Sequence, residues 1–137
     1  MAALTATNTL NYQVNMNAGS FSFLAEEPES IGGDNQGPSP FELLLASLAA
    51  CTAMTVRMYA KRKKWDVKAI NLSLEHEKVS ANACDDCLTI DGKVDIISID
   101  LSFEGDLTED QIERLKFIAG KCPVHKSLVT ETRIRIK

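Results

Sequence analysis

The sequence predicts an α+β fold, a mostly antiparallel sheet arrangement around one long central helix, in a single domain spanning 1–137. Three observations carry this. Gly37–Cys51 reads as a capped helix start running into an apolar helix with no charged residue from Leu43 to Val56. The predicted strands are grouped, two before that helix and two after it, instead of alternating singly with helices. The chain has 137 residues, 45% hydrophobic and 25% charged, which suits one domain with one core.

Taken in order, Thr9–Val14 and Ser20–Ala25 read as two strands joined by a turn at Asn15–Gly19, with Phe21 and Phe23 on one face. Glu26–Pro38 is polar and rich in Gly and Pro, so it reads as a loop. Ser39 is a good N-cap, Pro40 suits the first helical position, and Glu42 completes a capping box. The helix these open runs from about Pro40 to Lys63. Trp65–Lys78 alternates as a strand, with Ile70, Leu72 and Leu74 on one side. Ser80–Leu88 is a polar loop holding Cys84 and Cys87, and Val94–Phe103 is a second long strand. Thr108-Glu109-Asp110-Gln111 is another capping box, opening a helix to about Gly120. Lys121-Cys122-Pro123 breaks that helix and starts a short one through Leu128, and Thr130–Lys137 alternates as a closing strand.

The bulk properties narrow the function. A net charge of −4 argues against nucleic-acid binding. The cations Arg57, Lys61, Arg62, Lys63, Lys64 and Lys68 cluster where they complement a helix C-terminus. No basic-plus-apolar leader opens the chain, and Leu43–Val56 falls short of the roughly 20 apolar residues of a membrane span. The expectation is a cytoplasmic protein that binds neither membrane nor nucleic acid. Four cysteines in that setting point to reactive, metal-binding or core thiols in preference to a structural disulfide framework.

Two cysteines stand out. Leu44, Leu48, Cys51, Thr55 and Met58 share one helical face, and the opposite face is apolar too, so this helix needs cover on all sides. Ala46, Ser47, Ala49, Ala50 and Ala53 would let a second helix approach closely. Alone, Cys51 reads as a small buried hydrophobe. Cys122 precedes an N1 proline, where free N–H groups and the positive helix end favour a thiolate, with His125 and Lys126 following. Together the two suggest a redox pair. Cys84-Asp85-Asp86-Cys87 is a lone CxxC, a weak metal signal because structural zinc wants four ligands, and its acidic setting disfavours a fast nucleophile. Glu42 lies nine residues before Cys51, about 13 Å along the axis, out of reach on the same helix.

Gly37–Tyr59 and Lys121–Leu128, with the order of elements between them, resemble the OsmC/Ohr family, the osmotically inducible protein C and organic hydroperoxide resistance proteins. The resemblance implies an OsmC-like fold in which two chains intertwine into a homodimer with the long helices at its centre. It implies that Cys51 is the peroxidatic thiolate and Cys122 the resolving thiol. An external thiol reductant of unnamed identity would restore the pair, and neither metal nor organic cofactor would take part. In that family an N-terminal arginine and a glutamate ten residues before the helix cysteine activate the thiol. Here Phe41 holds that spacing, Glu42 is one place on, and the first arginine is Arg57. His125, Lys126 and Arg57 of the partner subunit are therefore the candidate cations. Arg57 lies about 240° around the helix from Cys51 on its own chain.

The reading is a thiol-dependent peroxidase for organic or hydrogen hydroperoxides, with catalytic Cys51 and Cys122 supported by Glu42, Arg57, His125 and Lys126. Phe41, Leu44, Leu48 and Met58 are the expected substrate pocket. Two alternatives stay open: a small-molecule binding module that keeps the cysteines without fast turnover, and a metal-binding or redox-sensing protein centred on Cys84 and Cys87.

Overall fold

The computed structural model describes all 137 residues, Met1–Lys137. The chain divides into two compact units, Met1–Leu44 and Leu45–Lys137.

The first unit is a three-stranded antiparallel meander: β1 (Thr5–Leu10), β2 (Gln13–Ala18) and β3 (Phe21–Ala25), in the order β1-β2-β3. Both hairpins are closed by two-residue turns. Leu10 pairs with Gln13 around Asn11-Tyr12, and Ala18 pairs with Phe21 around Gly19-Ser20. Asn11 at φ 45° and Gly19 at φ 61° supply the left-handed backbone such turns need. This corrects the expectation of two strands. The Asn-rich stretch read as a turn at Asn15–Gly19 lies mostly in β2, and the turn that was missed is set by Asn11. There the Asn8 side-chain amide donates to the carbonyls of Asn11 (2.8 Å) and Gln13 (2.7 Å). The expected second strand, Ser20–Ala25, is β3 almost to the residue. Beyond it, the buried Glu26 carboxylate accepts the backbone N–H groups of Asp34 (2.9 Å) and Gln36 (3.1 Å), folding the polar loop back on itself.

The long helix α1 (Pro40–Lys63) starts where its capping box places it. Ser39 Oγ accepts the Glu42 N–H at 3.3 Å, and Glu42 accepts the Ser39 N–H at 3.4 Å. Its last turn carries Lys61, Arg62 and Lys63. By length and composition alone α1 is long and apolar enough to cross a membrane, contrary to the sequence estimate. That estimate stopped at Val56, whereas Met58, Tyr59 and Ala60 extend the apolar run.

In the second unit, β4 (Ala69–Ser80) and β5 (Lys93–Glu104) form a twelve-residue antiparallel ladder from Ala69↔Glu104 to Ser80↔Lys93. Its alternation is as expected, with Ile70, Leu72, Leu74, Ile97, Ile99, Leu101 and Phe103 half-buried. Gly105, at φ 139°, turns the chain out of β5. A Cβ there would sit 1.9 Å from the Asp66 carbonyl oxygen, so no other residue fits without moving backbone. Helix α2 (Glu109–Ala119) opens on the Thr108–Gln111 capping box, and α3 (Pro123–Val129) opens on Cys122. The core joins α1, β4, β5 and α2 through Val56, Tyr59, Ala60, Val67 and Leu115, flanked by Trp65, Ile70 and Phe103.

The expected closing strand is absent. Thr130–Lys137 has no regular structure, and Ile134 and Ile136 are 89% and 99% exposed. An alternating sequence becomes a strand only when a neighbour takes its N–H and C=O groups, and no strand of this chain pairs with it.

Candidate functional site

Two devices bring Cys51 and Cys122 together. Cys51 sits midway along α1, held in place by the core on that helix. Cys122 sits where α2 ends: Gly120 N–H reaches Phe117 O at 3.2 Å and Lys121 N–H reaches Ile118 O at 2.9 Å, so the chain tightens before Pro123 restarts it. Cys122 is the N-cap of α3, and its sulfur accepts the His125 N–H at 3.3 Å. It is fully buried, whereas Cys51 is half-buried. Both are free thiols, and they lie near enough for each to shift the other's ionisation.

The surroundings of the two sulfurs differ. Burial pushes the Cys51 thiol up, reinforced by its hydrogen bond to Cys122 and by repulsion from a charge there. A Val124 N–H and the Thr55 hydroxyl pull the other way and do not prevail. Burial also opposes ionisation of Cys122. Hydrogen bonds from Cys51, the His125 N–H, the Thr52 hydroxyl and the Val124 N–H outweigh it, and the Cys122 thiol is held below the ordinary range. Thr52 is 1% exposed, and its buried hydroxyl has no hydrogen-bond partner at ordinary distance. It is the polar group beside Cys122 that helps hold that thiol down. Cys122, at the helix N-cap, is therefore the first of the pair to give up its proton, and Cys51 the second.

Cys51 lines an open cleft of about 680 Å³. Ala50, Met54, Met58 and Ile118 make its walls apolar, and Arg62 and Lys121 bring positive charge to it. Tyr59, also on the cleft, accepts a hydrogen bond from Arg114 Nε at 3.0 Å. That bond, with the nearby Lys63 and Arg62, holds its hydroxyl below the usual tyrosine range against the effect of burial.

The family model for OsmC-like protein matches residues 33–137. The chain belongs to the OsmC-like protein family. Among solved structures, an OsmC-like protein from Mycoplasma pneumoniae is similar over 93% of this chain and 86% of its own, at 19% identity and TM-score 0.73. The organic hydroperoxide resistance protein OsmC of Legionella pneumophila is similar over 94% and 89%, at 16% identity and TM-score 0.68. The organic hydroperoxide resistance protein OhrB of Bacillus subtilis is similar over 94% and 90%, at 19% identity and TM-score 0.64. At these identities the likeness shows the fold, α+β with antiparallel sheets. No curated protein matches the chain.

Within this OsmC-like chain the other expected site residues are dispersed. Arg57 donates to the carbonyls of Val67 and, at 3.4 Å, Lys68, so it ties α1 to the segment before β4. His125 gives its backbone N–H to Cys122, but its side chain lines a separate cavity with Thr52, Asp100 and Lys116. Lys126 is exposed on α3, and Glu42 is occupied in the α1 cap. Of the four residues expected to line a pocket, Met58 lines the Cys51 cleft. Leu48 is buried, and Phe41 and Leu44 belong to the first unit. The cations that share the cleft with Cys51 are Arg62 and Lys121, neither of them among the expected three. Arg62 was legible: eleven residues after Cys51 is three turns, the same helical face. Cys84 and Cys87 are joined in a disulfide, against the expectation of free thiols. Their CxxC spacing puts the Cα atoms 5.5 Å apart, within bonding reach.

Proposed function

We propose that this OsmC-like protein is a two-cysteine, thiol-dependent peroxidase acting on organic hydroperoxides, with Cys51 as the attacking thiol and Cys122 as the resolving one. The observation that carries it is the juxtaposition of two free thiols that shift each other's ionisation, one open to an apolar cleft and the other buried. The names of the Legionella and Bacillus relatives support a peroxide substrate.

The order of ionisation sets the chemistry, and the reactive form is the one in which Cys122 is the thiolate. Cys51 passes its proton to the Cys122 thiolate and attacks the terminal oxygen of the peroxide as a thiolate. The O–O bond breaks, and the departing alkoxide takes the proton back through Cys122 as the alcohol. Cys51 is left as the sulfenic acid and Cys122 as the thiolate. That thiolate attacks the Cys51 sulfur, the S–S bond forms, and hydroxide leaves. An external dithiol then reduces the bond and is itself oxidised to a disulfide. Arg62 and Lys121 stabilise negative charge developing in the cleft. Apolar walls of Met54, Met58 and Ile118 favour an alkyl group over hydrogen peroxide.

The working form is a homodimer of this whole chain. Met54 and Met58 of α1 are 60% and 64% exposed, and the alternating Ile134 and Ile136 are unpaired, so a second copy has apolar surface and a strand edge to take. The alternative, a binding module with idle thiols, draws on the upward shift of the Cys51 thiol. Oxidation with one equivalent of cumene hydroperoxide followed by peptide mapping separates the two. The peroxidase gives a Cys51–Cys122 disulfide, and Cys51→Ser gives none. An unreacted pair favours the binding module.

A further inference from the structure

The tip of the β4–β5 hairpin carries a second cysteine pair that the peroxide chemistry leaves unused. The tip is held by the Ala81 N–H on Gly92 O at 2.9 Å and the Cys84 N–H on Ala81 O at 3.2 Å. Cys84 and Cys87 are disulfide-bonded, and Asp86 Oδ1 lies 3.3 Å from Cys84 Sγ. The two sulfurs and the Asp86 carboxylate all lie within 4.8 Å of one another. The sulfurs are half-buried and Asp86 is exposed, so the cluster opens to solvent.

In the disulfide form the sulfurs are poor ligands. A dithiol reductant changes that. It delivers two electrons and two protons, the Cys84–Cys87 bond breaks into two thiols, and the reductant leaves as its own disulfide. Two thiols and a carboxylate from one four-residue segment then face one point. Tetrahedral zinc, with Zn–S bonds of about 2.3 Å, holds two sulfurs roughly 3.8 Å apart. They need to separate by only about 1.7 Å from a disulfide's bond length, and Asp86 already lies at a suitable distance. Binding releases the two thiol protons and gives two thiolates and one carboxylate around a divalent ion, with water in the fourth position. Sulfur ligands select zinc-class ions over magnesium or calcium. Asp85 and Asp91 add negative potential in the same loop. His76 is not part of the cluster. It pairs with Ile97 in mid-ladder, and its ring nitrogen lies 2.8 Å from Asp95.

We propose that Cys84, Asp86 and Cys87 form a redox-gated site for a thiophilic divalent cation of the zinc class, closed as the disulfide and opened by dithiol reduction. The site stands apart from Cys51 and Cys122 and does not depend on the peroxidase reading.

Cobalt(II) titration of the reduced full-length protein, with excess reductant removed anaerobically, tests it. The probe is the ultraviolet thiolate-to-cobalt charge-transfer band, followed by displacement with zinc. The expected result is one cobalt per chain in the reduced wild type, none in the diamide-oxidised protein, and loss of the band in Cys84→Ser/Cys87→Ser. Asp86→Asn should weaken binding by roughly tenfold or more. Absence of a thiolate band in the reduced wild type would overturn the proposal. So would an undiminished band in the double serine variant, which would assign binding to Cys51 and Cys122. Unchanged affinity in Asp86→Asn would overturn the three-ligand site.

Discussion

Thr52→Val tests how the pair divides its charge. The variant keeps the shape of the side chain and deletes one hydroxyl. Thr52 is 1% exposed, its hydroxyl has no hydrogen-bond partner at ordinary distance, and it helps hold the Cys122 thiol down. A hydrogen bond to an ionised acceptor contributes about 1.5 kcal/mol, and one pKa unit is about 1.4 kcal/mol. The loss should therefore raise the first thiol ionisation of the pair, by at most what such a bond supplies. The same change removes a poorly satisfied buried hydroxyl, which costs about 1–3 kcal/mol to bury. With both thiols protonated, the variant should be as stable as wild type or up to about 1 kcal/mol more stable. The sign of the pH dependence follows. The Cys122 thiol is held below its ordinary value, so its contribution to stability is full above the unfolded thiol value of about 8.5 and is lost as pH falls through the folded value. The Cys51 thiol is pushed up, so its contribution is full below the unfolded value and lost as pH rises through the folded one. Wild-type stability should thus rise with pH on the acid side of the thiol range, and Thr52→Val should flatten that rise. The assays are thiolate ultraviolet absorbance against pH and urea unfolding at each pH, with Thr52→Ser as the hydroxyl-retaining control. A thiolate titration that does not move in Thr52→Val, or that moves equally in Thr52→Ser, would refute the reasoning.

Three further outcomes are expected. Cys122→Ser should leave Cys51 able to react once but unable to close the disulfide, so a sulfenic-acid-trapping nucleophile should label Cys51 at close to one per chain by mass spectrometry. Arg57→Gln should lower stability by about 1–2 kcal/mol, because two backbone carbonyls lose a charged donor. It should leave the thiol titration in place, since Arg57 faces away from the pair. Leu115→Ala, at a position with no exposure in the core between α1 and α2, should cost about 2–5 kcal/mol in denaturant unfolding with the thiol titration again unchanged.

The parts of this fold legible in the sequence are those that local chemistry decides. Ser39-Pro40 with Glu42, Thr108 with Gln111, and Cys122-Pro123 each define a helix start within a few residues, and all three appear at the expected place. The β4–β5 ladder was equally readable, because its alternation runs over twelve residues. The first hairpin was not, because Asn occurs in its strands as well as its turns, and only the left-handed backbone of Asn11 marks the bend. Thr130–Lys137 has a strand pattern and no partner in its own chain.

At the site, the thiol pair was legible from two motifs, but its surroundings depended on which way α1 turns. A face through Leu44, Leu48, Cys51, Thr55 and Met58 was expected. The buried stripe instead runs through Leu48, Thr52, Val56, Tyr59 and Ala60. That rotation buries Thr52 beside Cys122 and leaves Cys51 and Met58 on the cleft. It also explains why Cys122, and not the helix thiol, is the one held below its ordinary range.

The central claim is that Cys51 attacks peroxide faster than an ordinary thiol because Cys122 takes its proton. Stopped-flow oxidation of the reduced protein by cumene hydroperoxide, followed by intrinsic fluorescence and run beside hydrogen peroxide, Cys51→Ser and free cysteine, tests it most directly. The account predicts oxidation at least about a hundredfold faster than free cysteine, at the lower end of the range for positioned proton transfer. It also predicts a preference for the organic peroxide, loss of the fast phase in Cys51→Ser, and a Cys51–Cys122 disulfide as product. Oxidation of wild type at the free-cysteine rate, with the fold intact, would contradict it.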